Sequence, residues 1–144
     1  MSGFLHLSDF HLVEDEITLS RAFNAKYILK NTVDKILDKK GDFGDLDGVI
    51  ITGDISDDGS IASYSDAYDI LKELHLPLLA IPGNHDLRQP MMNYFAKDTD
   101  IKSSKFFDWV YETNDTTVIG LDTLVEGQKH GMLRSESLNL LFEN

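Results

Sequence analysis

Three short apolar runs constrain this chain more than any other feature. They cover residues 4–8, 48–52 and 76–81, and each stops at a polar cluster. The clusters are Asp9-Phe10-His11, Gly53-Asp54 with Asp57 and Asp58, and Gly83-Asn84-His85-Asp86. Runs this short, rich in aliphatic residues, read as buried strands. Between them, Ala22, Ala25, Leu29, Val33, Ile36 and Leu37 fall at helical spacing and predict an amphipathic helix over residues 18–39. Lys39 and Lys40 suit its C-terminal dipole, and Gly41 can stop it. Ile61, Tyr64, Ala67, Tyr68, Leu71 and Leu74 predict a second helix over residues 60–75. The order strand, helix, strand, helix, strand implies right-handed crossovers and a parallel sheet, an α/β fold.

The second half is less regular. Residues 86–95 predict a short helix, and residues 105–111 and 117–121 a pair of strands, antiparallel neighbours. Residues 135–142 start another helix. Phe106, Phe107, Trp109 and Tyr111 form a dense aromatic patch that reads as core packing. There is no internal repeat or low-complexity tract.

In an open parallel sheet, ligands bind outside the carboxyl ends of the strands. Asp9 and Asp54 are 45 residues apart and Asp54 and Asn84 are 30 apart, each gap fitting one crossover. All three clusters therefore converge on one edge. Asp, His and Asn offer hard oxygen and imidazole donors, a mix that suits manganese, iron or zinc. Asp9 and His11, two apart in an extended tail, point the same way. Asp54 follows a glycine that permits a sharp turn, and a central carboxylate can bridge two ions. Asn84 brings a neutral carbonyl oxygen, and His85 a group that donates a proton or holds a phosphate oxygen. Taken singly, each piece reads as a capping aspartate or a plain turn. Three in order, each at a strand end, read as a site.

Composition narrows the setting. The 144 residues suit one domain, and the absence of cysteine excludes disulfides, thiol nucleophiles and cysteine-based metal sites. No apolar run reaches the roughly 20 residues of a membrane helix, and the N-terminus has no basic start or long apolar stretch. A cytoplasmic protein without a membrane partner is the expectation. The net charge of −12, with 18 Asp against 7 Glu, repels polyanions, so a nucleic acid polymer is not the expected partner. An anionic substrate would need metal ions to neutralise it. Dinucleotide, P-loop and serine-elbow motifs are absent.

SDFHL, ITGDISDDG and IPGNHD resemble the successive motifs of the calcineurin-like metallophosphoesterases, which carry Asp-x-His, Gly-Asp and Gly-Asn-His-Asp/Glu in this order. Within that family, TGDISDDGSIASYSDAYDIL, LPLLAIPGNHDLR and GLDTLVEG are similar to the bacterial cyclic-nucleotide and glycerophosphodiester phosphodiesterases. The resemblance implies a metallophosphoesterase-type α/β sandwich with two divalent ions. It implies that Asp9 and His11 bind the first metal, Asp54 bridges both and Asn84 binds the second. It makes His85 the catalytic contact to phosphate, protonating the leaving oxygen. Asp57 and Asp86 would support these ligands from behind, with Asp86 orienting His85. A metal-activated hydroxide would attack a small phosphodiester in line. The protein Ser/Thr phosphatase branch, a third reading, places an arginine where this chain has Asp58.

The family pattern continues with a further metal-binding histidine and a Gly-His-x-His motif, and neither is present. The remaining histidines are His6, expected to be a packed or semi-exposed core residue within the first strand, His75 at a helix end, and His130 in a loop. The chain therefore reads as a single domain truncated before the downstream histidines, its C-terminal half missing. It is expected to pair with a second copy or with the missing part. The alternative function is a catalytically incomplete fragment or a non-catalytic interaction module of the same fold.

Overall fold

A computed structural model describes residues 3–14, 24–99, 101 and 105–144. β1 (Phe4–Leu7), β2 (Gly48–Ile51) and β3 (Leu78–Ala80) form a parallel sheet in the order β1-β2-β3. Helices α1 (Ala25–Asp38) and α2 (Ile61–Leu71) lie between successive strands, and α3 (Arg88–Phe95) follows β3. β4 (Trp109–Glu112) and β5 (Thr117–Gly120) form a separate antiparallel hairpin, and α4 (Ser135–Glu143) ends the described chain.

The central strand, β2, is buried almost throughout. Val49 and Ile51 of β2 and Leu78 and Ala80 of β3 point into one cluster with Leu29 and Val33 of α1, Tyr64, Ala67 and Leu71 of α2, and Met91 and Phe95 of α3. Leu79 is also buried but stands outside this cluster, as the two-residue alternation of a strand requires. Burying one such aliphatic side chain contributes about 1.5–3 kcal/mol. The hairpin closes on the sheet through Trp109, whose indole N–H donates to Ala80 O at 2.7 Å. Tyr111 donates its hydroxyl to Asp47 O. Opposite Trp109 in the hairpin is Gly120, where a Cβ would stand 2.1 Å from the indole.

Several element boundaries differ from the sequence expectations, each for a local reason. α1 begins at Ala25 because the Asn24 side chain caps it, accepting from Tyr27 N–H. The expected start at residues 18–23, with Ala22, lies outside the described residues. α2 begins after Ser60, which accepts from Ser63 N–H, and it tightens over Lys72–Leu74 into a 3-10 turn. His75 closes that turn with φ of 54°. The strand expected over residues 105–111 begins only at Trp109. The Asp122 carboxylate takes the Phe107 N–H, and the Asp108 carboxylate takes the Asp122 N–H, so side chains replace a strand ladder there. His6 is exposed rather than packed or semi-exposed, and bonds Thr52 Oγ1 at 2.8 Å. Among the described residues, no helix is long and apolar enough to cross a membrane.

Candidate metal centre

The loops leaving β1 and β2 run side by side past the strand ends. Asp9 N–H donates to Gly53 O, His11 N–H to Asp54 O, Leu12 N–H to Ile55 O, and Asp57 N–H to Leu12 O. This ladder fixes both loops in register. It also holds Asp9, His11 and Asp54 at φ of 60°, 49° and 52°. They are three of the four non-glycine residues with positive φ among the described residues. Such backbone costs roughly 1–2 kcal/mol per residue, least for aspartate, and persists only where surrounding bonds over-determine it.

The third loop is pressed against the second. A Cβ on Gly53 would lie 2.2 Å from Gly83 N, and a Cβ on Gly83 would lie 2.2 Å from Asp54 Oδ1. Two glycines therefore let two backbones touch. The contact brings His85 N–H to Asp54 Oδ1 at 3.0 Å.

Five of the expected site residues meet here. His11 Nε2 lies 3.8 Å from Asp9 Oδ1 and 3.8 Å from Asp54 Oδ2. Donor atoms of Asp9, His11 and Asp54 all fall within 4.8 Å of one another, as do those of His11, Asp57 and His85. The two imidazoles stand edge to face with centroids 4.9 Å apart. Between them, Asp57 Oδ1 lies 3.1 Å from His11 Nδ1 and 2.7 Å from His85 Nδ1. Asn84 is exposed between Gly83 and His85, on the wall of a second, smaller cavity.

Asp86 serves the backbone rather than the His85 ring. Its Oδ1 accepts from Ile55 N–H, Ser56 N–H and the Tyr64 hydroxyl, and its Oδ2 from Gly83 N–H. The carboxylate on the His85 ring is Asp57 instead. Burial pushes the Asp86 carboxyl above its ordinary range, against the pull of those donors. Burial, then the charge of Asp86, also raises the Tyr64 phenol, which stays protonated and bonded to Asp86. Partial burial pushes Asp58 up, but the N–H groups of Glu14 and Ser60 and the hydroxyls of Ser60 and Ser56 outweigh it and hold its carboxyl at about 2.

The donor set fits divalent ions. The facing atoms of Asp9, His11 and Asp54 are too far apart to hydrogen-bond. Two atoms 3.8 Å apart can nevertheless both lie about 2.0–2.2 Å from one ion, the usual nitrogen and oxygen ligand distance for zinc. His11 presents Nε2 inward while Nδ1 is engaged by a carboxylate, the arrangement common to metal-binding histidines. An apolar cleft of about 500 Å³ opens beside Asp9, His11 and Asp57, walled by Phe10, Ile28 and Leu29.

One clamp beside the centre escaped the sequence reading. Buried Asp122 binds Arg88 through both oxygens, at 2.7 Å to Nε and 2.8 Å to Nη2. Arg88 also donates to Leu124 O, and its N–H to Glu126 Oε1. The available signals were an arginine three residues after His85 in an acidic chain and an aspartate set between Leu121 and Leu124.

The calcineurin-like phosphoesterase family model matches residues 3–141. The chain belongs to that family. Among curated relatives of this calcineurin-like phosphoesterase, the 3',5'-cyclic adenosine monophosphate phosphodiesterase CpdA of Pseudomonas aeruginosa is 27% identical over 137 residues, covering 95% of this chain and 47% of the relative. A probable cyclic nucleotide phosphodiesterase of Coxiella burnetii is 31% identical over 144 aligned residues, covering 96% of this chain and 51% of the relative. A probable glycerophosphodiester phosphodiesterase, GpdQ of Arcobacter nitrofigilis, is 34% identical over 92 residues, covering 64% of this chain and 34% of the relative. The chain thus spans about half the length, or less, of these relatives.

Proposed function

We propose that this calcineurin-like phosphoesterase is the metal-binding front part of a phosphodiesterase acting on small diesters, of the 3',5'-cyclic-nucleotide or glycerophosphodiester type. The observation that carries this reading is the convergence of Asp9, His11 and Asp54 within 4.8 Å, with Asp57 and His85 adjoining. The names of the relatives support the substrate class. Asp9, His11 and Asp54 would hold one ion, and Asp54 and Asn84 a second, in manganese, iron or zinc form. When bound, such ions supply positive charge for the phosphate and acidify a coordinated water.

The chain's own residues do the rest. Asp57 accepts from the Nδ1 side of His11 and His85, which leaves each Nε2 available on the opposite edge. As the imidazolium, with Nδ1–H given to Asp57, His85 would donate its Nε2–H to a phosphate oxygen and pass that proton to the leaving alkoxide. Asp54 would hold the His85 backbone at a fixed distance from the ions through the 3.0 Å bond to its N–H. Phe10, Ile28 and Leu29 would keep water from one side of the site. A cytoplasmic setting accords with the cysteine-free sequence.

A second reading is metal binding without turnover. The described donor clusters supply three residues each, and His11 and His85 are their only histidines. Association with a second copy or with further sequence would complete the donor set. Exposed Tyr27 and Phe142 and the single described partner of β1 accord with that. Hydrolysis of bis(p-nitrophenyl) phosphate with manganese separates the two readings. Turnover abolished by Asp54→Asn supports the phosphodiesterase. Stoichiometric metal binding without turnover supports the second reading.

A further inference from the structure

A cavity of about 200 Å³ lies beside Asn84, lined by Pro82, Thr123, Leu124, Lys129 and His130 among others. Its far wall comes from the loop after β5, more than thirty residues beyond the His85 cluster. That wall is held in place. Arg88 grips Asp122 in a two-point ion pair, donates to Leu124 O and takes Glu126 onto its backbone N–H. Within the loop, Gln128 N–H donates to Val125 O at 2.9 Å and Met132 N–H to Thr123 O at 2.8 Å. A Cβ on Gly131 would lie 2.9 Å from Thr123 O, so the chain returns directly over Thr123. The loop is thereby tied to the first residue of α3, three positions from His85.

The groups this loop presents are unusual for the chain. Only 13 of its residues are Lys or Arg, yet Lys129 stands next to His130 at this cavity. Among the described residues, neither side chain has a hydrogen-bond or ion-pair partner. Lys129 offers three donors, His130 and Thr123 each a donor and an acceptor, and Asn84, with its carbonyl oxygen given to the second ion, its amide N–H groups. Pro82 and Leu124 add apolar surface. Such lining matches a hydroxyl-bearing carbon chain. The volume is below the roughly 300 Å³ at which pockets for drug-sized ligands begin, which favours a small polyol over a whole nucleoside.

We propose that this cavity is the subsite for the hydroxylated alcohol arm of the phosphodiester, with Lys129 and His130 as its specificity-determining residues. The assignment rests on the phosphodiesterase reading. A phosphate held at the ions would place one ester arm next to Asn84, within the cavity. Lys129 and His130 then read the arm's hydroxyls and take no part in the cleavage itself.

The test compares dissociation constants, by calorimetry with manganese present, for sn-glycerol 3-phosphate, methyl phosphate and adenosine 5'-monophosphate. The first two carry the same phosphate and differ in the polyol. The wild-type chain should prefer glycerol 3-phosphate to methyl phosphate by about tenfold, the scale of one hydrogen bond to a charged group. Lys129→Met and His130→Ala should each remove most of that preference and leave methyl phosphate unchanged. A parallel loss for adenosine 5'-monophosphate assigns ribose hydroxyls to the cavity, and a loss confined to glycerol 3-phosphate assigns it to a glycerol arm. Either result supports the subsite. An undiminished preference in both variants overturns the subsite while leaving the phosphodiesterase reading intact. So does an equal loss for methyl phosphate. No binding of any probe to the wild-type chain overturns both.

Discussion

His85 Nδ1 lies 2.7 Å from Asp57 Oδ1, and the same oxygen lies 3.1 Å from His11 Nδ1. One carboxylate therefore sets the tautomer and tilt of two imidazoles. Both rings turn Nε2 away from it. In Asp57→Asn, both rings lose their charged partner, and a neutral amide oxygen is the best acceptor left to their N–H groups. Removing such a supporting partner typically costs about 10–100-fold in metal affinity or activity. We expect a loss in that range for manganese affinity, read by calorimetry, with thermal stability nearly unchanged.

Gly83 is a steric keystone. Any side chain there meets the Asp54 carboxylate, since a Cβ would stand 2.2 Å from Oδ1. Gly83→Ala should push Asp54 off His85 N–H and separate the second and third loops. Overpacking of this kind costs about 1–3 kcal/mol. Urea unfolding should register that loss, and metal affinity should fall with it. Gly127→Ala is the contrast: its φ of 75° brings backbone strain, but nothing lies within 4 Å of the added methyl. It should lower stability modestly and leave metal affinity alone.

Asp58 ties the β1 loop to the start of α2. Its Oδ2 accepts from Glu14 N–H at 2.7 Å and its Oδ1 from Ser60 N–H at 2.9 Å. With a folded carboxyl at about 2 against 3.8 for the ordinary group, the folded state releases this proton more readily than the unfolded one. The stabilisation is present above pH 3.8 and is lost as pH falls toward 2. Asp58 is exposed, so screening keeps the effect small. Asp58→Asn should destabilise the chain at pH 5, and the gap from wild type should shrink by pH 2.5, measured by urea unfolding.

The strand ends were legible because their signals are local. Apolar runs at residues 48–52 and 76–81 stop at Gly53 and Pro82-Gly83, and the observed β2 and β3 fall inside those runs. Convergence of Asp9, His11, Asp54 and His85 followed from crossover topology alone. Other features left no periodic trace. The Arg88–Asp122 pair joins residues 34 apart, and no local pattern connects them. Asp86 was expected against its neighbour His85. Buried beneath the loops, however, it answers the N–H groups of Ile55, Ser56 and Gly83, a role that appears only once the loops are folded together. The cap at Asn24 is the same kind of case, since the helical spacing continues upstream through Ala22 and gives no stop there.

The central claim is that the three strand-end loops hold a divalent metal centre. The most direct measurement is manganese binding to the 144-residue chain and to Asp54→Asn, by calorimetry supported by elemental analysis. Asparagine tolerates the left-handed backbone that Asp54 adopts, so the variant keeps the fold while losing the carboxylate charge. We predict stoichiometric binding to the wild-type chain and at least about a tenfold weakening in Asp54→Asn, in line with the loss of one charged ligand. Binding of equal strength to both proteins, or no binding of manganese, iron or zinc to the wild-type chain, would contradict the account.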